Sequence, residues 1–302
     1  MASEQAELQK SLMRQFKETA MGQGAGPTNV EEMRASDEMM ASMATPPSGV
    51  TYDEVDAGGV PAMWVTPEGA PSDKAIMYLH GGGYVIGTMH SHAKMVGHIA
   101  KAAGVRALNV DYRLAPEHPH PAAVEDAVTA YRWLLDQGIS NDKIVVSGDS
   151  AGGGLTVATL LAIRDQGLPR PAAGVPLSPW IDLEGTGESM TSKAHLDLIV
   201  DSAGLKLMAD MFLNGQSARD PLAAPLYADY VGVAPLYIQV GDEETLLDDS
   251  SRLAEQATAA GVDVRIDVFP EMQHVFQMAA GNVPEADEAI ERIGAYVRER
   301  IG

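Results

Sequence analysis

From residue 50 onward, short apolar runs alternate with stretches whose apolar residues recur at helical spacing. The runs predict strands at Ala62–Thr66, Ala75–His80, Val105–Tyr112, Ile144–Asp149, Ala172–Ser178, Leu236–Gly241 and Val264–Phe269. Helices are expected near 92–103, 121–137, 151–166, 247–260 and 285–300. Runs such as Ala75-Ile-Met-Tyr-Leu79 are apolar without interruption, the mark of strands covered on both faces. Strand–helix alternation at this spacing predicts an α/β fold with a mostly parallel central sheet flanked by helices.

Two regions depart from the alternation. Residues 1–45 are polar and rich in methionine, with Leu8, Leu12 and Phe16, then Met33, Met39, Met40 and Met43, at roughly helical spacing. They predict two helices broken by Gly22-Gln-Gly-Ala-Gly-Pro27 and closed by Pro46-Pro47. Residues 183–223 separate two strands by more than a plain crossover needs, and carry a helical run from Leu198 to Phe212. An insertion of this size above an α/β sheet reads as a cap. The expected division is a helical cap segment over 1–49 and a catalytic domain over 50–302, with a cap insertion at about 183–223.

Composition narrows the chemistry. The chain of 302 residues has no cysteine, which excludes disulfides, thiolate metal sites and cysteine nucleophiles. Its net charge of −21 repels phosphate backbones and anionic membranes, so neither nucleic acid nor a membrane is expected as a partner. The opening residues lack a basic stretch followed by an apolar one, and no apolar run is long enough to span a bilayer. The expectation is a cytoplasmic protein.

Gly148-Asp-Ser-Ala-Gly152 lies between a predicted strand and a predicted helix. A serine at such a turn projects its hydroxyl into the open, and the helix N-terminus offers unpaired N–H groups to a developing anion. His80-Gly-Gly-Gly-Tyr84 follows an earlier strand and leaves backbone N–H groups unobstructed, as an oxyanion loop requires. A phosphate loop would need a following Gly-Lys-Ser/Thr, which is absent. The base should lie after the last strand, where His274 stands. His90 with His92, and His118 with His120, lack the carboxylate spacing of a metal site. His98 and His195 read as structural or surface residues. The acid should follow Leu236–Gly241, where Asp242, Glu243, Glu244, Asp248 and Asp249 compete and spacing does not separate them.

His80-Gly-Gly-Gly-Tyr84, Asp111-Tyr-Arg-Leu-Ala-Pro-Glu117, Gly148-Asp-Ser-Ala-Gly-Gly153 and Ser178-Pro-Trp-Ile-Asp182 occur in an order that resembles the bacterial hormone-sensitive-lipase family of α/β-hydrolases. The resemblance runs from about residue 60 onward and implies a carboxylesterase without cofactor or metal. It implies Ser150 as nucleophile, His274 as general base, and oxyanion donors at the N–H groups of Gly82, Gly83 and Ala151. The family's acid usually opens an Asp-Pro-Leu-x-Asp element. The matching stretch here is Glu244-Thr-Leu-Leu-Asp248, which implies Glu244 as the acid and puts Thr245 in the proline's place. Arg113 and Glu117 are expected to make buried polar contacts near the serine loop, and His120 stands where an aromatic residue is common. Tyr84, Met208 and Phe212 are expected to line the substrate pocket. The expected substrate is a small-molecule ester of short or medium acyl chain. A lactone hydrolase on the same triad, or an inactive hydrolase-like binding protein, are the alternatives. The resemblance also leaves room for a homodimer.

Overall fold

The computed structural model describes residues 2–22, 29–35 and 37–302. Most of the break expected over 22–27, and the side chain of Phe16, lie outside what it describes. An eight-stranded sheet runs in the order β1-β2-β4-β3-β5-β6-β7-β8. These strands are β1 (Val50–Asp56), β2 (Pro61–Pro67), β3 (Ala75–Leu79), β4 (Arg106–Val110), β5 (Ile144–Asp149), β6 (Ala173–Leu177), β7 (Leu236–Gly241) and β8 (Val264–Phe269). β2 pairs antiparallel with both β1 and β4, and the pairs from β4 through β8 are parallel.

Side-chain alternation explains the unbroken apolar runs. Along β3, Ala75, Met77 and Leu79 join the core on one face, while Ile76 and Tyr78 join the core on the other. The first core is covered by α5 (Ala122–Asp136), α6 (Ala151–Asp165) and α9 (Leu247–Ala259). The second is covered by α4 (Ala93–Ala103) and α10 (Pro284–Ile301). Burial of both faces supplies the main driving force for the sheet.

β1 was not expected. Its residues, Val50-Thr-Tyr-Asp-Glu-Val-Asp56, are mostly exposed and carry no alternating apolar signal. It forms because Gly58 and Gly59, at φ +76° and +96°, turn the chain from it back into the antiparallel β2. Asp56 accepts the Gly59 N–H at 2.6 Å within that turn.

Above the sheet lie α1 (Glu4–Gly22), α2 (Val30–Arg34), α3 (Asp37–Met43), α7 (Ser189–Ser192) and α8 (Ser202–Leu213). The N-terminal segment therefore holds three helices among the described residues rather than two. Leu198 and Ile199 precede α8 instead of opening it, because Asp201 caps that helix by accepting the N–H groups of Ala203 and Gly204. Arg34 anchors α2 through the carbonyls of Val85 and Ala115 and the carboxylate of Glu117. Glu117 is thus a half-exposed partner of the N-terminal helices. Arg113 binds Asp126 and Glu125 on α5. Arg113 thus reaches the buried Asp126, while Glu117 faces solvent; the hydrogen bonds of the two run to α5 and α2 rather than to the serine loop.

Candidate active site

The carboxyl ends of the parallel strands converge on one cavity, as ligand sites in α/β sheets do. Ser150 sits between β5 and α6 with φ +54° and ψ −121°. That backbone costs about 1–3 kcal/mol and persists because its surroundings over-determine it. The Ser150 N–H donates to Leu177 at 2.8 Å, and its carbonyl accepts from Gly154 and Trp180 at 3.0 and 2.9 Å. A side chain at Gly148 or Gly152 would strike the Leu79 carbonyl, so both positions must be bare.

His274 lies beyond β8, and its Nε2 is 2.9 Å from Ser150 Oγ. Its Nδ1–H donates to Glu244 Oε2 at 2.7 Å. With Nδ1 as donor, the Nε2 lone pair faces the serine hydroxyl. Glu244 is fully buried and His274 is 4% exposed. The other Glu244 oxygen accepts the Ser178 hydroxyl at 2.8 Å and the Gly241 N–H at 2.7 Å. Burial lowers the proton affinity of His274, but the adjacent Glu244 carboxylate outweighs it and holds the imidazole above its ordinary value.

The four other carboxylates of the loop are engaged elsewhere. Asp242 accepts the Glu271 N–H, Glu243 the side chains of Lys10 and Gln273, and Asp248 the Ser189 N–H. Asp249 accepts the N–H groups of Ile181 and Asp182, and burial pushes its carboxyl up to about 7.

The glycine loop lies across from His274. Among the described residues, no protein group accepts from the N–H of Gly82, Gly83 or Ala151. Gly82 and Gly83 have φ of +114° and +61°. A side chain on Gly82 would strike the Ile86 carbonyl, and one on Gly83 the Met208 thioether. Behind the loop, Asp149 accepts the Gly81 N–H at 3.1 Å and the Tyr78 hydroxyl at 2.8 Å, with His92 Nε2 3.4 Å away. Burial would raise the Asp149 carboxyl, but His92 and Tyr78 outweigh it and hold it below its usual value. These bonds fix the loop from beneath.

The cavity measures about 610 Å³. Gly82, Gly83, Ser150 and His274 form its floor, and Met33, Met40, Met43 and Met208 much of its roof. Of the three residues expected to line the substrate pocket, Met208 borders this cavity, whereas Tyr84 and Phe212 do not. Each is only 1% exposed, and the two rings stack on one another at 3.8 Å. The stack fastens α8 to the glycine loop, because one ring comes from each. His120 meets Phe212 edge-on at 5.4 Å, doing the packing of an aromatic residue.

Ser178 was singled out by motif but given no role. Its φ of +43° turns the hydroxyl toward Glu244, and the Val275 N–H reaches the same oxygen at 3.3 Å. It ties the acid to the turn that carries His274. His90 is exposed beside Glu54, and His98 holds the Thr45 carbonyl at 2.9 Å. His195 is exposed. No group of three His, Asp or Glu among the described residues is arranged to hold a metal ion.

A family model described as an α/β hydrolase fold matches residues 76–278. The chain is 41% identical to an acetyl-hydrolase of Streptomyces hygroscopicus, covering 100% of this chain and 99% of that protein. It is 34% identical over 228 residues to an esterase of Acinetobacter venetianus, covering 75% of each. A crystal structure of an esterase from the bacterial hormone-sensitive lipase family superposes with a TM-score of 0.95, at 46% identity over 100% of both chains. A crystal structure of EstE5 soaked with p-nitrophenyl butyrate superposes with a TM-score of 0.91, at 42% identity over 99% of both chains.

Proposed function

This chain belongs to the α/β-hydrolase family, within its bacterial hormone-sensitive-lipase branch, and from that premise we propose that it hydrolyses carboxylic esters through Ser150, His274 and Glu244. The observation that carries the reading is the hydrogen-bonded line from Ser150 through His274 to Glu244, lying beside backbone N–H groups without protein acceptors.

Ser150 Oγ attacks the acyl carbonyl carbon while His274 Nε2 takes its proton. The oxygen of the tetrahedral adduct is received by the N–H groups of Gly82, Gly83 and Ala151. Glu244 balances the charge on the imidazolium. The adduct collapses, and the departing alkoxide takes the proton from Nε2. Water then gives a proton to Nε2 and attacks the acyl-serine. The second adduct returns Ser150 and a carboxylic acid.

On this reading, residues 1–49 and the insertion at about 183–223 form a cap over the catalytic domain. The cavity size and its flexible thioether lining suit short to medium acyl chains. A ladder of p-nitrophenyl esters from acetate to palmitate tests this. Turnover is expected to be highest at short to medium chain length and to show an initial burst. No chromophore release from any ester would overturn the reading, and a maximum at palmitate would overturn the chain-length assignment.

A further inference from the structure

Thr245, next to the acid, is fully buried and hydrogen-bonded to a single carboxylate. Its N–H donates to Asp197 Oδ2 at 2.8 Å and its hydroxyl donates to the same oxygen at 3.0 Å. Asp197 lies in the loop between α7 and α8 and is 1% exposed. Its other oxygen accepts the N–H groups of Ile199 and Val200 at 2.9 and 2.7 Å. Ile199 and Val200 line the cavity above Ser150. One buried carboxylate therefore spans from the wall of the cavity to the residue following Glu244.

The same stretch of cap is fastened at further points. The Ser189 hydroxyl donates to the Thr245 carbonyl at 2.6 Å. The Leu198 N–H donates to Gln273 Oε1 at 2.8 Å, and Gln273 Nε2 donates to the Leu196 carbonyl at 3.2 Å. Thr245 adjoins the acid and Gln273 adjoins the base, so the cap loop is bonded to both partners' neighbours. Proline at 245 would offer neither an N–H nor a hydroxyl. The bridge exists because threonine stands there.

We propose that Asp197 is a positioning residue that joins the cavity wall at Ile199 and Val200 to the Glu244–His274 pair, holding wall and pair as one unit. This rests on the roles given to Glu244 and His274 above. With donors on both oxygens, Asp197 is satisfied as an anion. It adds a second negative charge near His274, in the sense that favours the imidazolium. Other charged and titratable groups about His274 are Glu244 from the loop after β7, Asp149 and Ser150 from the β5 turn, and His92 across the cavity. Lys10 of α1 and Glu271 border a narrow cleft beside the same ring, and Glu243 binds Lys10. The test changes only Asp197 or its threonine.

Asp197→Asn replaces one acceptor oxygen by an amide nitrogen, which must face donors on one side of the bridge. The kcat for p-nitrophenyl butyrate is expected to fall about 10–100-fold, as for a small displacement of reacting groups. The acid limb of kcat/KM is expected to move about 0.5–1 unit lower, since a negative charge near the imidazole is lost. Thr245→Val keeps the N–H and the Asp197 charge but removes one donor, and should lower kcat by less than Asp197→Asn while leaving the acid limb in place. Thr245→Ser should restore wild-type values. Folding is checked by circular dichroism, and Thr245→Val decides the matter if Asp197→Asn does not fold. A folded Asp197→Asn protein with an unmoved acid limb, or a folded Thr245→Val protein with wild-type kcat, overturns the proposal, whether or not it melts earlier. Ser150→Ala is assayed alongside. An active Ser150→Ala protein overturns the reading of the site itself, whereas an inactive one beside a wild-type-like Asp197→Asn overturns only the bridge.

Discussion

Two parts of the molecule meet at the cavity and are held by different forces. In the floor, Ser150, Glu244 and His274 sit on turns at the ends of β5, β7 and β8, and their contacts are hydrogen bonds of 2.7 to 2.9 Å. Ser150 itself, and Tyr84, Ser178 and Val275 on the turns that carry the floor, have left-handed backbones that only dense surroundings can hold. In the roof, Met33, Met40, Met43 and Met208 make up much of the wall. A thioether chain has several rotatable bonds and little directional demand. The contrast separates two requirements. Proton transfer needs atoms fixed to within a fraction of an ångström, whereas an acyl chain needs an apolar surface that can adjust. Changes in the floor should therefore act on turnover, and changes in the roof on which ester is turned over.

The harshest test of that division is Ser150→Ala, expected to lower kcat roughly 10⁶-fold with every ester, because the covalent route needs the hydroxyl. Steady-state assays across the ester ladder check it, and retention of a tenth of wild-type turnover at equal folding would break the floor assignment. Glu244→Gln keeps the shape and removes the charge, so kcat should fall about 10³–10⁴-fold. Asp242→Asn and Asp248→Asn are compared in the same assay, and each should cost far less because those carboxylates bind backbone N–H groups away from His274.

A milder probe is pH. On the proposed mechanism His274 must be neutral to accept the serine proton, and Glu244 holds its pKa above the ordinary 6.5. The kcat/KM of wild type should thus fall about tenfold per unit as pH drops below a midpoint higher than 6.5. A midpoint well below that value would show that the carboxylate does not reach the imidazole in solution. The smallest effect belongs to the roof. Met208→Ala opens the wall beside Gly83, and the ratio of kcat/KM for octanoate over butyrate esters should rise several-fold, at about the worth of one or two methylenes. An equal loss on both esters would mean that Met208 serves the oxyanion loop rather than chain length.

The extent to which these parts are legible in sequence follows the same division. β3, β5 and β7 announce themselves because both faces are buried, and the turns after β3 and β5 carry glycines where close backbone approach forbids a side chain. β1 is silent because it pairs through backbone while its side chains face solvent. Spacing alone left five carboxylates as candidate acids. Only the path of the loop brings Glu244, and not its neighbours, to His274. The bounds of α8 were readable in principle, since Asp201 followed by Ser-Ala-Gly is an N-cap signal, but the apolar residues 198 and 199 drew the helix too far forward. Tyr84 and Phe212 are expected in the wall, but each ring is buried against the other. They find each other across 128 residues of chain, a pairing no local pattern encodes. The motif marked Ser178 but not its role, because that role depends on a left-handed backbone at a non-glycine position.

The methionine roof has a consequence in redox chemistry. The chain contains 16 methionines and no cysteine, so its sulfur is entirely thioether. Peroxide converts a thioether to a polar, chiral sulfoxide and leaves serine, histidine and glutamate largely untouched. On the proposed reading, oxidant is expected to alter the thioether wall of the cavity before the side chains of Ser150, His274 and Glu244. On that reading, mild oxidation is expected to weaken the hold on apolar acyl chains more than the turnover of the smallest esters, and methionine sulfoxide reductases would reverse it.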